Sequence, residues 1–363
     1  MKNRTVSLTI VLLGILAIAS LALWTGCSRT SDAPVAPSLS SDEGLTVDNP
    51  AVRAVMDVQN RHTSSLMADK DVIGTATTLD DNGKPAVMIL VTSQGAFDRA
   101  PKALDGVPTQ IVLTDRIVAM AGNTSKQTPP ISLGTSGGWR YDLANGYCCG
   151  GTLGSLVAKG GTQYVMSNYH VLEADIVSGG NGRVATAGDP VIQPGLIDVG
   201  CNAASAQNVA SLSGIKSLPG SNVDVAIASV IAGMVRTDGA ILGIGTISAT
   251  TVAASVGQAV KKSGRTTGLT RSSVTGLNAT VSIAYDNECA GGAAFTKTFT
   301  GQILVKNKGS RFLNSGDSGS LMVQDVSTSP KAVGLLFAGS SSIAVANPIG
   351  QVLSFLGATM VGN

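Results

Sequence analysis

The sequence predicts an all-β fold preceded by a small unit of mixed α and β structure. Glycine accounts for 44 of the 363 residues. Val, Ile, Thr and Ser recur in short runs, as expected for many strands joined by turns. About twelve such runs follow residue 148, with a glycine-rich break over 233–245 near the middle. This pattern favours two packed β-barrels or a sandwich.

Residues 1–27 have the pattern of a signal peptide. A basic start, Met-Lys-Asn-Arg, precedes an apolar run from Val6 to Trp24, which ends at Thr-Gly-Cys27. This end is similar to the lipobox of bacterial lipoproteins, with Trp24 where Leu, Val or Ile is usual. We expect an exported bacterial protein, lipidated at Cys27 and held at the cell envelope. The alternatives are plain secretion or an uncleaved anchor. The N-terminal lipid or anchor is the one membrane contact that the sequence predicts.

Residues 48–122 predict a small α+β domain behind a flexible, proline-rich linker over 28–47. Asn49 before Pro50 is typical of a helix start. The runs Val72–Leu79 and Pro85–Val91 are joined by Asp-Asp-Asn-Gly, a hairpin signal, and Gln110–Met120 predicts a third strand. His62, on or near the helix, is interpreted as structural or solvated.

A second linker, rich in Gly, Ser, Thr and Pro, covers 123–147 and separates this domain from residues 148–363. An exposed linker of this kind is a natural place for proteolytic cleavage. The domain over 48–122 is therefore a candidate pro-segment. The alternative is an accessory domain that stays attached.

Four cysteines remain after Cys27, and export places them in an oxidising compartment. The disulfide candidates are Cys148, Cys149, Cys201 and Cys289. Four cysteines can be paired in three ways. A bridge between adjacent cysteines is strained, so Cys201 and Cys289 are each expected to pair with one of the other two. Two histidines and no Cys-x-x-Cys spacing argue against a metal site. The net charge is only +2 and the sequence contains no block of basic residues, which argues against a nucleic-acid partner.

The stretch Asn314–Ser320, which reads Asn-Ser-Gly-Asp-Ser-Gly-Ser, predicts a tight turn before the apolar run 321–323. Glycine lets the backbone approach a ligand closely. The amides of Gly316 and Ser318 can then point into one small space, where an oxyanion would sit. Alone, the stretch also fits an ordinary Ser/Gly-rich hairpin turn.

A base and an acid are needed to activate Ser318. His170 follows an apolar strand, and imidazole suits a general base because it titrates near neutrality. Asp224 begins an apolar strand, where a buried acid must be paired. Asp198 is the rival candidate for a buried acid. Each residue alone also fits a structural role.

The order His170, Asp224, Ser318 is that of the chymotrypsin-type triad. Ser-Asn-Tyr-His170-Val-Leu, Asp224-Val-Ala-Ile and Gly-Asp-Ser318-Gly-Ser resemble the histidine, aspartate and nucleophile motifs of trypsin-like serine proteases. Residues 260–269 and 274–281 resemble second-barrel strands of the bacterial streptogrisin and α-lytic branch. The resemblance covers roughly residues 148–358.

The resemblance implies two six-stranded antiparallel β-barrels, with the triad in the cleft between them. Ser318 would attack a peptide carbonyl, His170 would shuttle the proton, and Asp224 would hold the imidazole. The amides of Gly316 and Ser318 would form the oxyanion hole. The expected activity is a serine endopeptidase that acts on proteins or peptides without a cofactor.

The chain departs from the family pattern at several positions. Ser320 stands where the related enzymes usually have glycine, and Phe337 stands where the substrate-pairing strand usually has serine. No acid occurs near Phe312, at the expected floor of the specificity pocket, so we expect an apolar or small P1 residue. The predicted substrate-binding residues are Phe312, Phe337, Ala338 and Gly339.

Two other functions use the same residues. A binding protein on a protease fold that no longer cuts, or that only processes itself, would explain Phe337 and the cysteine pattern. Retention of all three triad residues argues against it. An esterase acting on non-peptide acyl groups would use the same chemistry.

Overall fold

The computed structural model describes residues 46–114, 117, 124–144, 147–173, 185–285 and 295–363. The predicted signal peptide with Cys27, nearly all of the 28–47 linker and Cys289 lie outside these ranges. Within them, no helix combines the length and apolar character needed to cross a bilayer.

Residues 48–114 contain two helices and four strands. Their bounds are α1 Pro50–Leu66, β1 Val72–Leu79, β2 Pro85–Val91, α2 Gln94–Arg99, β3 Ala103–Leu104 and β4 Val107–Leu113. The predicted helix start is confirmed, since the Asn49 side chain accepts hydrogen bonds from the amides of Ala51 and Val52. The β1–β2 hairpin is also confirmed, and β4 pairs parallel to β2. Helix α2 was not predicted, although its cap residue Ser93 is a readable signal.

The first sheet has eight strands in the order β22-β9-β10-β13-β12-β11-β5-β8. Their bounds are β5 Thr135–Trp139, β8 Gly151–Leu153, β9 Ser155–Lys159, β10 Thr162–Ser167, β11 Pro190–Gln193, β12 Gln207–Leu212, β13 Ala226–Val230 and β22 Thr359–Met360. Strand β5 lies inside the segment predicted as a linker. Two short hairpins accompany the sheet: β6 Leu143–Ala144 with β7 Tyr147–Cys148, and β14 Ala240–Ile241 with β15 Gly245–Thr246.

The second sheet contains a closed ring of six strands. The ring order is β16-β19-β20-β21-β18-β17, and a further pairing of β16 with β17 closes it. The bounds are β16 Ala259–Gly264, β17 Gly268–Tyr285, β18 Phe295–Lys306, β19 Leu321–Gln324, β20 Ala332–Gly339 and β21 Ile343–Pro348. Helix α3, Tyr169–Leu172, follows β10, and helix α4, Ile349–Leu356, follows β21. The ring is the six-stranded antiparallel barrel that the resemblance implied.

The N-terminal strands continue the second sheet. Strand β1 pairs antiparallel with the outer part of β17, so that Gly74 faces Val281 and Thr77 faces Leu277. Buried Gln59 of α1 bonds to both of these strands. Its side-chain NH2 group donates to the carbonyl of Asn278 in β17 at 2.6 Å, and its side-chain oxygen accepts from the hydroxyl of Thr77 in β1 at 2.8 Å. Buried polar groups need such partners.

The predicted fold class, an all-β body with a small α+β unit before it, is confirmed. The first sheet has eight strands where the resemblance implied six, because the C-terminal β22 and the short β8 extend its two ends.

One disulfide joins Cys148 to Cys201, as expected from the oxidising compartment. Cys149 is also disulfide-bonded.

Candidate active site

His170 and Asp224 are in direct contact. The Nδ1 atom of His170 lies 2.6 Å from Oδ2 of Asp224. The backbone amides of Tyr169 and His170 donate to the other oxygen, Oδ1, at 2.7 and 3.3 Å. The Asp224 side chain is fully buried, whereas the His170 side chain is 12% exposed. Because a carboxylate accepts hydrogen bonds, it selects the imidazole tautomer that carries its proton on Nδ1.

Backbone contacts also hold Asp224 in place. Its carbonyl accepts a hydrogen bond from the Asn168 side chain at 2.7 Å. Its amide donates to the side-chain oxygen of Asn347 at 2.9 Å. The side-chain NH2 group of Asn347 in turn donates to the side-chain oxygen of Gln302 at 2.6 Å. Asn168 precedes α3, whereas Asn347 and Gln302 lie on the second barrel, so elements of both sheets fix the acid.

The predicted turn at 314–320 consists of two consecutive β-turns. The amide of Asp317 donates to the carbonyl of Asn314 at 3.0 Å, and the amide of Ser320 donates to the carbonyl of Asp317 at 2.9 Å. The third position of each turn is glycine, with φ of 94° at Gly316 and 92° at Gly319. A positive φ at this position is what a type II turn requires. The sequence folds in this way because only glycine adopts these angles without strain.

Asp317 anchors this double turn. Its Oδ2 lies 3.0 Å from the Nζ of Lys262, and both side chains are fully buried. Its oxygens also accept hydrogen bonds from the amides of Thr266 and Thr267 and from the amide of Asn314. The residues 260–269 that resembled a protease motif are therefore the segment that grips the turn. Burial lowers the pKa of Lys262, and the attraction of Asp317 opposes that shift.

Thr152 links the turn of Ser318 to the strand that leads to His170. Its amide donates to the carbonyl of Ser318 at 2.8 Å, and its hydroxyl donates to the carbonyl of Gly316 at 2.7 Å. The hydroxyl of Ser167, three residues before His170, donates to the carbonyl of Thr152 at 2.6 Å. The nucleophile turn and the histidine segment are thus bonded to one residue.

The second ring nitrogen of His170 is the position from which a general base would act. This Nε2 is buried and makes no hydrogen bond to any residue in the described ranges. The hydroxyl of Ser318 donates to the carbonyl of Phe337 at 3.4 Å. Hydrogen bonds between nucleophile and base are often long in unliganded enzymes and shorten when substrate binds.

Asp198, the rival acid, belongs to a different pair. Its carboxylate bonds to the guanidinium of Arg265, whose Nε lies 2.6 Å from Oδ2. It also accepts a hydrogen bond from the hydroxyl of Ser136 at 2.5 Å. Both partners of the Arg265–Asp198 pair are 7% exposed. Asp198 is therefore an ion-pair partner and not the acid beside His170, because Arg265 occupies its oxygens.

The predicted pocket residues lie in the protein core. Phe312 packs among apolar residues of the second barrel, and Phe337 packs against Phe299 with ring centroids 4.9 Å apart. Ala338 is fully buried and Gly339 lies at the end of β20. Their role as substrate contacts remains a prediction.

One further carboxylate influences the site. Asp142, just before β6, is buried, and burial raises its pKa to about 7, while the charge of His170 opposes that shift. It is held by its backbone, which donates to the carbonyl of Trp139 at 3.3 Å and accepts from Cys149 at 3.2 Å.

Sequence reasoning missed Lys262, Asp142 and Tyr285, whose hydroxyl donates to Asp224 at 2.8 Å. Lys262 was inside a quoted motif, and a buried lysine on a strand requires a partner. Tyr285 carried no local signal, because its partner Asp224 lies far away along the chain, and Asp142 carried none because its neighbours in sequence do not predict its burial.

Similar proteins were found among solved structures, where 65 chains match. The chain is similar to bacterial serine proteases. A glutamic acid-specific serine protease is 20% identical, with a TM-score of 0.42 over 63% of this chain and 100% of that chain. Protease A of Thermobifida fusca is 19% identical, with a TM-score of 0.40 over 68% of this chain and 100% of that chain. Cellulomonas bogoriensis chymotrypsin is 21% identical, with a TM-score of 0.39 over 64% of this chain and 99% of that chain.

No protein-family model and no curated protein matches the sequence. The sequence identities of these three structures are 19–21% and their TM-scores 0.39–0.42, so they do not assign an activity to this chain. The function proposed below therefore rests on the geometry of the site.

Proposed function

We propose that the protein is an exported serine endopeptidase with the triad His170, Asp224 and Ser318. The observation that carries the proposal is the pairing of His170 with buried Asp224 at 2.6 Å, together with the hydrogen bonds of Thr152 that join the His170 segment to the glycine turn of Ser318. An ordinary Ser/Gly-rich hairpin would need neither a buried acid nor an imidazole with an unbonded nitrogen.

The reaction would follow from these positions. Ser318 Oγ attacks the scissile carbonyl carbon while His170 Nε2 removes its proton, which gives a tetrahedral oxyanion. Its collapse breaks the C–N bond, and the imidazolium returns the proton to the leaving amine. Water then attacks the acyl-enzyme with His170 again as base. Asp224 stabilises the imidazolium and remains ionised throughout.

The oxyanion would be stabilised by the amides of Gly316 and Ser318. Each such donor lowers the barrier by about 3 kcal/mol, because the dipole is already oriented before charge develops. The contacts of Asp317 support this assignment, since its carboxylate accepts a hydrogen bond from the amide of Asn314 at the start of the turn and pairs with Lys262 of β16.

A fluorophosphonate probe tests the proposal without knowledge of the substrate. The probe should label the wild-type chain, and peptide mapping should place the label on Ser318 and not on Ser315 or Ser320. Labelling should be absent in Ser318→Ala. A correctly disulfide-bonded wild-type protein that takes no label contradicts the protease proposal and favours the inactive binding protein.

Export and lipidation at Cys27 are part of the proposal. The Cys148–Cys201 disulfide supports an oxidising compartment. Mass spectrometry of the mature N-terminus, compared between wild type and Cys27→Ser, would detect the lipid; masses that differ by the Cys-to-Ser substitution alone would contradict lipidation. The proposed P1 residue is apolar or small, and profiling with a peptide library would overturn it by showing cleavage after basic residues.

The proposed role of residues 48–122 is a pro-segment removed by cleavage in the following linker. The pairing of β1 with β17 and the contact of the Thr114 hydroxyl with that of Ser340 at 2.7 Å, just after β20, fit a domain that packs on the second barrel, either as a pro-segment or as an attached accessory domain. The intact masses of wild type and Ser318→Ala decide the point. Unprocessed masses for both proteins, differing by the Ser-to-Ala substitution alone, would contradict self-cleavage and favour an attached accessory domain.

A further inference from the structure

Tyr285 is a buried tyrosine at the end of β17, 1% exposed, whose hydroxyl contacts the triad acid. Its Oη donates to Oδ2 of Asp224 at 2.8 Å. The same oxygen contacts Nδ1 of His170. We propose that Tyr285 is a positioning residue that acts through Asp224 to orient the carboxylate and hold the His170 imidazole. This inference rests on the proposed function of the triad.

Within the described ranges, four hydrogen bonds reach the Asp224 carboxylate, two at each oxygen. Oδ1 accepts from the two backbone amides of α3, at Tyr169 and His170. Oδ2 accepts from the His170 ring and the Tyr285 hydroxyl. The terminal torsion of an aspartate is soft. Loss of the Tyr285 hydroxyl would therefore leave Oδ2 with the His170 imidazole as its one partner in the described ranges.

The second barrel holds the Tyr285 ring in place. The ring stacks on Phe295 with centroids 5.1 Å apart, and Phe295 is also its partner across the β17–β18 pair. It lies edge-on to the His170 ring at 5.7 Å. The hydroxyl thus reaches, from the second barrel, an acid whose Oδ1 is bonded by α3 next to the first sheet.

The chemistry of the hydroxyl suits a permanent donor. Burial raises the pKa of Tyr285 well above its ordinary value, and the negative charge of Asp224 raises it further. The phenol of Tyr285 therefore stays neutral and keeps its proton over the whole pH range in which the triad would operate. A hydrogen bond to a charged acceptor is about twice as strong as one between neutral groups.

Within the described ranges, four titratable side chains interact with Asp224 or with its partner His170. His170 and Tyr169 come from α3, Tyr285 comes from β17, and Asp142 comes from the segment before β6, with its charge coupled to His170. A change confined to the Tyr285 hydroxyl leaves the other three in place. A difference between wild type and Tyr285→Phe therefore reports that hydroxyl.

The experiment uses the full chain labelled with [15N]histidine, because only two histidines are present. His62, which contacts Asp105 at 3.0 Å, serves as an internal reference. Tyr164→Phe is the matched control, since it removes a tyrosine hydroxyl from β10 that contacts neither member of the pair in the described ranges. Thermal unfolding of each variant checks that it is folded.

In Tyr285→Phe the titration midpoint of His170 should move to higher pH. The carboxylate, having lost one donor, attracts the imidazolium more strongly. The fluorophosphonate labelling rate at neutral pH should fall about tenfold. His62 should be unchanged, and Tyr164→Phe should match wild type in both readouts.

An unchanged His170 signal in Tyr285→Phe, or an equal shift in Tyr164→Phe, overturns the proposal. If Tyr285→Phe does not fold, fluorotyrosine incorporation strengthens the phenol as a donor while keeping its shape. The His170 midpoint should then move to lower pH, and no movement overturns the proposal. A wild-type chain that takes no fluorophosphonate contradicts the protease function alone, since the His170 signals still report the link to Tyr285.

Discussion

Lys262 and Asp317 form a fully buried ion pair, with Nζ 3.0 Å from Oδ2, one residue before Ser318. Asp317 also ties together Asn314 at the start of the turn and Thr266 and Thr267 in the segment after Lys262. The shape of the turn thus depends on a cation from a strand about fifty residues away. Burial of a charge is tolerated only when such a partner is present.

Replacing this cation should be costly. In Lys262→Met, Asp317 keeps its hydrogen bonds but becomes an unpaired buried charge, so the free energy of unfolding should fall by about 3 kcal/mol. The labelling rate of Ser318 should fall as well, because the turn loses its anchor. Urea denaturation and fluorophosphonate kinetics measure the two effects.

Lys261→Met is the matched control for that variant. Lys261 is also buried, but its Nζ donates to the carbonyl of Val326 at 2.7 Å and pairs with no carboxylate in the described ranges. Its loss should reduce the free energy of unfolding by about 1 kcal/mol and leave labelling unchanged. Equal effects of the two variants would contradict a specific role for the Lys262–Asp317 pair.

Asp224→Asn should abolish most activity while preserving the fold. The amide presents a donor where the imidazole requires an acceptor, so His170 is held in the wrong tautomer and the labelling rate should fall by about 10⁴. Circular dichroism should match wild type. Asp198→Asn, which alters the pair with Arg265, should retain far more labelling; the opposite ranking would return Asp198 as the triad acid.

Because the pKa of Asp142 is raised, we expect the free energy of unfolding to fall as the pH rises. Its folded-state pKa of about 7 lies above the ordinary value of 3.8, so its contribution is fully present below about pH 4 and is lost as pH rises through 7. Asp142→Asn should remove this loss and raise the free energy of unfolding at pH 8 by up to about 4 kcal/mol. Denaturation at pH 4 and pH 8 measures it. The exposed Asp81→Asn should show the wild-type pH dependence, and a parallel curve for Asp142→Asn would contradict the prediction.

The Cys148–Cys201 disulfide should stabilise the first sheet. It closes a loop with a sequence separation of 53 residues. Chain-entropy arguments give about 4 kcal/mol for a loop of this length. The double variant Cys148→Ala with Cys201→Ala should therefore unfold at lower urea concentration than wild type under oxidising conditions. Coincident curves would contradict a stabilising role.

Local signals predicted much of the fold correctly. The cap at Asn49, the hairpin after Leu79 and the strand-end position of His170 depend on neighbouring residues, so they were readable. Strand β5 was missed because Thr135–Trp139 is glycine-rich and lacks the apolar alternation of a strand. Its pairing with β8 and β11 is a tertiary effect.

By itself, the sequence determined the candidate triad and the turn of Ser318, because motif order and glycine positions are local and carry their own backbone requirements. Tertiary structure decided the contacts of the two candidate acids, since it places Asp224 beside His170 and pairs Asp198 with Arg265. It also decided which partners hold the site, namely Tyr285 on Asp224 and Lys262 on Asp317. The physical reason is that buried charges take their partners from whichever strands the packing of the two sheets brings within hydrogen-bond distance.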